Sequence, residues 1–241
     1  MRPIDISRRF GISTTTIREY ELLGLMPPVP RSPAGYRAFT EEHAAYIACV
    51  REMLPAFHLI EIAKVFEAVM LRETDTALWI VNKKQADLYH EKLIAEKIAK
   101  SLLPGRGHPT PVKEGRLTIH DISRETGVPA TTIRHWDKTG LISVKRSAGN
   151  GYRIFGTEHI KQILTIYALK LFVYANHQKY SIEQIRESMH SFDYTDKSKI
   201  SAMTAAIGQH LSKMNRDQMK AASALFHLCL QVEAGKFDEM R

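Results

Sequence analysis

The chain has 241 residues, of which 44% are hydrophobic, and this is enough to build one large domain or two ordinary ones. Its formal net charge of +8, from 34 basic and 26 acidic side chains, favours an anionic partner such as nucleic acid. The two cysteines, Cys49 and Cys229, match no metal-binding or redox spacing, which indicates buried thiols in a reducing cytoplasm. The chain opens without an apolar signal core and contains no stretch as long as a membrane span, so we expect an intracellular protein.

The most informative feature of the sequence is an internal repeat. Residues 5–43 align with residues 121–159 at a shift of 116 positions without a gap, and seventeen of the aligned residues are identical. The tripeptide Gly-Tyr-Arg recurs intact, at 35–37 and at 151–153. Chance does not produce this agreement over 39 residues, so the repeat indicates a duplicated domain.

The first part of each copy predicts two short helices around a glycine turn. In the first copy, Ile6 begins an apolar face with helical spacing, and Gly11 follows as a C-terminal stop. Ser13 is placed to cap the next helix, in which Ile17 points inward, with Leu22 further along. Two short helices around a glycine turn are typical of the helix-turn-helix motif.

A small β-hairpin and two further helices follow in each copy. Hydrophobic residues flank a glycine-containing turn in MPPVPRSPAGYRAF and in ISVKRSAGNGYRIF, and this pattern predicts the hairpin. The further helices are predicted at 41–53 and 59–70 in the first copy, and at 157–174 and 182–190 in the second. The second copy needs seven extra residues, near YANHQK, to bring the last of these helices into line.

Each copy ends in a long amphipathic helix, predicted over 76–103 and over 198–234. The inward residues predicted for the first are Trp79, Ala86, Tyr89, Leu93, Ile98 and Leu102. The inward residues predicted for the second are Ile200, Met203, Ile207, Leu211, Met214, Leu225, Leu228 and Val232. Both helices are long enough to pair as an antiparallel coiled coil.

The combination of these motifs resembles the MerR family of bacterial transcription regulators. The segments DISRRFGISTTTIREYELLGL and RSPAGYRAFTEE carry the resemblance in the first copy, and DISRETGVPATTIRHWDKTGL and RSAGNGYRIFGTEH carry it in the second. A helix-turn-helix alone would be a weak signal, but its occurrence with the wing motif, in order and twice, is specific. The long helices resemble the family's dimerisation helix in length, position and amphipathy only.

The resemblance implies a winged-helix fold that binds promoter DNA, distorts it, and permits or blocks transcription by RNA polymerase. The expected fold class is therefore mainly α, with duplicated winged helix-turn-helix domains, here called heads. The expected boundaries are 1–73 for head 1, 74–104 for the first long helix, 105–116 for a proline- and glycine-rich linker, 117–194 for head 2, and 195–241 for the second long helix and tail.

The chain departs from the family plan because two heads share one chain and no effector domain is expected after the second head. It also lacks the cysteine arrangement of the metal-sensing members. We therefore expect no metal and no cofactor, and the sequence does not identify an effector. It contains no phosphate-binding loop, dinucleotide motif or zinc signature, which argues against an enzyme.

The resemblance also implies which residues contact double-stranded DNA. Arg18 and Arg134 lie in the helix that enters the major groove, where an arginine grips a phosphate or reads guanine. Tyr20 and Trp136 are expected beside the sugar-phosphate backbone, with a core aromatic as the alternative interpretation. The full expected set is Thr15, Arg18, Tyr20, Arg31, Tyr36, Arg37, Thr131, Arg134, His135, Trp136, Lys145, Arg146, Tyr152 and Arg153.

The two heads are not expected to read identical half-sites. The first tyrosine of the family motif is replaced by Glu19 in head 1 and by His135 in head 2. A glutamate repels phosphates but accepts a hydrogen bond from cytosine, so the two positions favour different contacts.

Charge also differs between the heads. Residues 1–70 contain eight basic and eight acidic side chains, whereas residues 117–190 contain ten basic and six acidic ones. The second wing adds Lys145 and Arg146 where the aligned first wing has apolar residues. Head 2 is therefore expected to supply more of the salt-sensitive DNA affinity.

The repeat is most simply explained by a single-chain pseudo-dimer whose heads can diverge toward an asymmetric operator. Three alternatives stay open at this point. The long helices could pair between chains, giving a homodimer with four heads that bridges DNA. The protein could be an architectural or recombination accessory factor. It could also sense a small molecule in a pocket lined by Trp79, Tyr89 and Phe226.

Overall fold

A computed structural model describes residues 1–103, 117–149, 151–176, 181–191 and 196–238. The predicted linker at 105–116 lies outside these residues. The fold is mainly α, as predicted. The first repeat contains α1 (Pro3–Phe10), α2 (Thr14–Leu22), α3 (Glu41–Met53), α4 (Leu59–Met70) and the long α5 (Thr74–Leu102). The second contains α6 (Ile119–Thr126), α7 (Ala130–Lys138), β1 (Lys145–Arg146), β2 (Arg153–Ile154), α8 (Thr157–Ala175), α9 (Ile182–Ser191) and the long α10 (Lys197–Glu233).

The short helices begin and end at the residues that the sequence marks. Gly11 ends α1 in the left-handed conformation, with φ of 61°, and Gly127 ends α6 with φ of 78°. Ser13 caps α2, because its hydroxyl accepts a hydrogen bond from the Thr16 amide at 3.0 Å. These caps fix the helix-turn-helix of each head and confirm the local prediction.

The first turn of the third helix of each head contains a histidine that sequence reasoning did not single out. The Thr40 amide donates to Nδ1 of His43 at 3.0 Å, and the Gly156 amide donates to Nδ1 of His159 at 2.9 Å. Each ring also packs edge-on against the phenylalanine four residues before it. The histidine occupies the same position in both repeats, and this recurrence in the sequence could have identified it.

The extra residues of the second copy lengthen a helix. The helix α8 has 19 residues and its counterpart α3 has 13, so most of the insertion extends α8 at its C-terminal end. Residues 177–180, which complete the predicted insertion, lie outside the described part of the chain.

The backbone pairing in the two wings shows that the gap-free alignment of the two copies is shifted by one residue there. Arg31 forms a single bridge with Arg37, whereas Arg146 pairs with Arg153 in the two-stranded ladder of β1 and β2. Backbone pairing therefore makes Arg31 equivalent to Arg146, and the loop of the second wing is one residue longer. The second wing then has one additional basic residue, Lys145, and not two.

The chain divides into two compact units, and each has its own core. Unit 1 comprises residues 1–87 and 213–241, and unit 2 comprises residues 88–212. Each unit thus combines one head with part of α5 and part of α10. In unit 1, the Thr74 hydroxyl donates to Glu233 of α10 at 2.5 Å, and the side chain of Gln85 lies 3.5 Å from the Met219 sulfur.

The buried face of α5 differs from the predicted one. Trp79, Tyr89 and Leu93 are 69%, 59% and 39% exposed, so the predicted stripe lies largely outside the cores. The α5 residues that are buried are Thr74, Ala77, Val81, Ile94, Ile98 and Leu102, so the prediction is confirmed for Ile98 and Leu102 only. The prediction for α10 is confirmed, because all of its predicted inward residues are buried except Met214, which is half-buried.

No helix within the described ranges combines the length and the apolar character that crossing a membrane requires.

Candidate nucleic-acid interface

The helices α2 and α7 each present a polar surface on the side opposite their buried anchors. Ile17 and Ile133 are 1% and 0% exposed and attach the helices to their cores. Because residues one or two positions along a helix point away from such an anchor, the neighbouring side chains face solvent. The exposed residues of this surface are Thr15, Arg18 and Glu19 in α2, and Thr131, Arg134 and His135 in α7.

Two aromatic residues of the expected set are core residues. Tyr20 is 6% exposed and Trp136 is 1% exposed, and the Trp136 ring packs edge-on against Tyr167. Burial also raises the pKa of the Tyr20 hydroxyl. The alternative interpretation is therefore correct for both residues, and the expectation that they lie beside a DNA backbone is wrong. An aromatic ring next to the buried anchor stabilises a small core more than it would a polar surface.

Two wing arginines are held by ion pairs within their own heads. Nε of Arg37 donates to Glu21 at 2.6 Å, and Nε of Arg153 donates to Asp137 at 2.6 Å. All four side chains are at most one-quarter exposed. These ion pairs fasten each wing to the helix α2 or α7, and the expected contact of Arg37 and Arg153 with DNA stays a prediction. The acidic partner was the signal that sequence reasoning missed, because it recurs in both copies sixteen residues before the arginine.

The tips of both wings carry exposed side chains. Tyr36 and Tyr152 are each 73% exposed. The guanidinium of Arg31 donates to the Gly35 carbonyl at 3.2 Å, and the corresponding contact from Arg146 to the Gly151 carbonyl is 3.4 Å long. Lys145 is exposed as well. Each wing therefore offers a tyrosine and an arginine on a surface that can contact a phosphate backbone.

Two further expectations from the sequence are corrected by exposure. Leu22 is 85% exposed and does not point inward; it occupies the last turn of α2. Trp79, Tyr89 and Phe226 lie on exposed faces of the long helices, with Phe226 49% exposed, so they do not line an enclosed ligand pocket. Among the described residues, no three or more His, Cys, Asp or Glu side chains are grouped to hold a metal ion.

Comparison with known proteins places both heads in one family. The profile of the MerR HTH family regulatory protein matches residues 117–191, and the profile of the MerR family regulatory protein matches residues 2–39. No solved structure matches the chain significantly.

The curated relatives cover part of the chain. The HTH-type transcriptional regulator AdhR of Bacillus subtilis (strain 168) is 36% identical over 61 residues, which are 25% of this chain and 44% of AdhR. The HTH-type transcriptional regulator CueR of Salmonella typhi is 26% identical over 115 residues, which are 44% of this chain and 78% of CueR. The chain thus spans less than half the length of the first of these relatives. The two separate matches occur in the order that the repeat predicts, so the chain carries two tandem regions that both match models of the MerR family.

Proposed function

We propose that the protein is a transcriptional regulator that binds double-stranded promoter DNA in a sequence-specific manner through both heads. The observation that carries this proposal is the repeated pairing of an exposed arginine, Arg18 or Arg134, with an exposed wing tyrosine, Tyr36 or Tyr152. AdhR and CueR are both named as HTH-type transcriptional regulators, which supports the same activity.

The chemistry of the exposed surface suits a duplex. A guanidinium on a helix that enters the major groove can donate two hydrogen bonds to guanine or bind a phosphate. The tyrosine and arginine of each wing would contact the flanking backbone, which positions the head without reading sequence. The ion pairs Arg37–Glu21 and Arg153–Asp137 support this arrangement, because they tie each wing to the helix beside it.

The proposed active form is a single chain that works as a pseudo-dimer. Each compact unit contains one head together with parts of both long helices, so one chain supplies the elements that the family usually takes from two. The contacts Thr74–Glu233 and Gln85–Met219 join the start of α5 to the end of α10 in unit 1, which supports antiparallel pairing of the long helices.

The proposed operator is asymmetric or only approximately palindromic. Glu19 and His135 occupy equivalent exposed positions but offer different hydrogen-bonding chemistry to a base, because a carboxylate only accepts and an imidazole can also donate. Two different heads in one chain can therefore select two different half-sites, which identical subunits cannot do. Distortion of the bound promoter and contact with RNA polymerase belong to the same proposal and rest on the family resemblance.

Selection from random duplexes, followed by fluorescence anisotropy on the selected duplex, tests this function. We expect specific binding that is lost in Arg18→Ala/Arg134→Ala and retained in Arg216→Ala, since Arg216 is an exposed arginine of α10 far along the chain from both heads. Equal binding of selected and scrambled duplexes would argue for an architectural protein. Absence of binding to either duplex would contradict the proposal.

A second candidate is a homodimer with four heads that bridges two DNA segments. The observation that favours it is the exposed apolar surface on the long helices, which includes Trp79, Phe226 and Leu230. The mass of the protein in solution distinguishes this candidate from the single-chain form.

A further inference from the structure

An open cleft of about 550 Å³ lies within unit 2, beside the turn of the helix-turn-helix of head 2. One wall is the second half of α5, and the other is formed by α6 and the turn that follows it. The lining contains four basic side chains, which are His90 and Lys97 from α5 and His120 and Arg124 from α6. It contains no carboxylate. A volume of this size suits a small metabolite.

The α5 wall is fastened to the turn by specific hydrogen bonds. Nζ of Lys97 donates to the carbonyls of Arg124 and Glu125 at 3.1 and 2.7 Å, where it caps the end of α6. Nε2 of His90 donates to the Gly127 carbonyl at 2.8 Å. Since an ammonium carries three donors, Lys97 keeps one N–H beyond these two bonds. The cleft is therefore lined by a cation whose position is fixed by hydrogen bonds.

The α6 wall supplies donors that are accessible from solvent. Arg124 is 74% exposed, and one of its nitrogens donates to Asp121 at 2.9 Å, which leaves most of its five N–H groups for another acceptor. Within the described residues, the ring of His120 has no hydrogen-bond partner. The carboxylate that follows it in the chain, Asp121, is already bound by Arg124 and by the cap residue Thr118.

We propose that this cleft binds a small organic or inorganic anion that carries a carboxylate or phosphate group. The remaining N–H of Lys97, the guanidinium of Arg124 and the ring of His120 are suitable donors for such a group, and no acid lies among the lining residues. A DNA backbone is the less suitable occupant, because none of the outward side chains of α7, Thr131, Arg134 and His135, lines the cleft. A bound anion would contact both α5 and the turn that holds α7.

The surroundings of the turn glycine differ between the two heads. By the repeat, Gly127 corresponds to Gly11. A Cβ atom added to Gly11 would meet no other atom within 4 Å, whereas a Cβ atom added to Gly127 would lie 3.1 Å from the side chain of Ile94. His120 corresponds to Ile4, an apolar residue. A ligand in this cleft would thus act on one head only. The consequence for DNA binding rests on the proposed function, but the binding of the anion itself does not.

A ¹H–¹⁵N NMR titration of the full chain without DNA tests the proposal. The probes are inorganic phosphate and citrate, added at constant ionic strength. We expect saturable shifts in the amides around residues 123–128 with at least one of the two probes. The variant His120→Gln/Arg124→Gln should bind at least ten-fold more weakly. Both substituted side chains are exposed, so the spectrum elsewhere should stay unchanged.

The matched control is Arg8→Gln, which changes the residue that corresponds to Arg124 in head 1. It should leave the affinity for the probe unchanged. Shifts that rise linearly with the probe, or that weaken equally in both variants, would overturn the proposal. Saturable binding of a duplex that moves the same amides, with no saturation by either probe, would overturn it too, because the cluster would then belong to the DNA interface.

Discussion

At the scale of single residues, the two heads share a design and differ in the side chains that face solvent. Arg18 and Arg134 are exposed at equivalent positions, while Glu19 and His135 beside them differ in charge and hydrogen bonding. Head 2 carries the larger positive charge, and we therefore expect the two heads to contribute differently to DNA affinity. Removing a phosphate-binding arginine reduces both the affinity and its dependence on salt.

The arginine variants test this difference. Arg134→Ala should weaken binding to the selected duplex by about 1–3 kcal/mol and reduce the salt dependence more than Arg18→Ala does. Anisotropy titrations at several salt concentrations measure both quantities. Equal loss of affinity and of salt slope in the two variants would contradict the assignment of head 2 as the main electrostatic contact.

The wing ion pair gives a prediction about stability. Asp137→Asn leaves the half-buried guanidinium of Arg153 without its carboxylate, and it should lower the free energy of unfolding by about 1–3 kcal/mol. Urea denaturation measures this, and a double-mutant cycle with Arg153→Gln isolates the coupling. As a control, Glu96→Gln breaks the exposed pair Lys92–Glu96 and should cost less than about 0.5 kcal/mol. Similar losses of stability in the two variants would show that the wing ion pair stabilises the fold no more than an exposed pair does.

His43 gives a prediction about pH. Burial lowers the pKa of its imidazole below the ordinary 6.5, and the ring accepts a hydrogen bond from Thr40 only while Nδ1 is unprotonated. The unfolded chain therefore takes up this proton first as the pH falls. The stabilisation is complete above pH 6.5 and is lost as the pH falls through the folded pKa, by at most about 1.4 kcal/mol per pH unit.

The measurement is urea denaturation between pH 7.5 and pH 5.5 for the wild type and for His43→Gln. The variant should be less stable at pH 7.5 but should show a smaller decrease toward pH 5.5. Parallel pH profiles for the two proteins would mean that His43 does not contribute to the pH dependence.

Exposure at the residue scale was only partly predictable. The anchors Ile17 and Ile133 and the exposed arginines follow from helical spacing, since 3.6 residues per turn separate the two faces. The burial of Tyr20 and Trp136 could not be predicted, because an amphipathic aromatic side chain suits a core and an interface equally well. The ion pair of Asp137 with Arg153 was within reach of the sequence, because an acid recurs at the same place in both copies.

At the scale of elements, the repeat and the caps determine most of the fold. The four helices predicted after the hairpins agree with α3, α4, α8 and α9 to within one residue, because their apolar spacing and their breaks are clear. The sequence alignment of the two wings was wrong by one position. Backbone pairing determines which residues lie opposite each other, and sequence identity does not.

The stripe on α5 shows where periodicity fails. The helix has one apolar series that contains Trp79 and Tyr89 and another that contains Ala77, Val81 and Ile94. Both series have helical spacing, so the sequence alone does not determine which is buried. The second is buried because α5 contributes its first part to one core and its second part to another.

The two turn glycines provide a matched test at this scale. Gly11 and Gly127 both have positive φ, so Ala at either position should destabilise its head by about 1–2 kcal/mol. Gly127→Ala should cost more than Gly11→Ala, because its Cβ would lie 3.1 Å from Ile94. Thermal or urea denaturation compares them. Equal losses would mean that α5 does not pack firmly against the turn.

At the scale of the whole molecule, we propose that one chain contains the two heads and the two long helices that are needed to bind one operator. Each unit joins a head to parts of both long helices, and the two units together use α5 and α10 completely. The duplication was predictable from the repeat, but the division of each long helix between two cores was not, since it depends on which side chains meet in space. In the proposed pseudo-dimer, the assembly of the two heads would not depend on concentration.

The mass of the protein in solution tests this claim most directly. Size-exclusion chromatography with light scattering should give the chain mass of 27.4 kDa at every concentration from low micromolar upward. A mass near twice this value would contradict the single-chain account. The exposed apolar surface of the long helices would then be the contact between chains, and the four heads would favour DNA bridging.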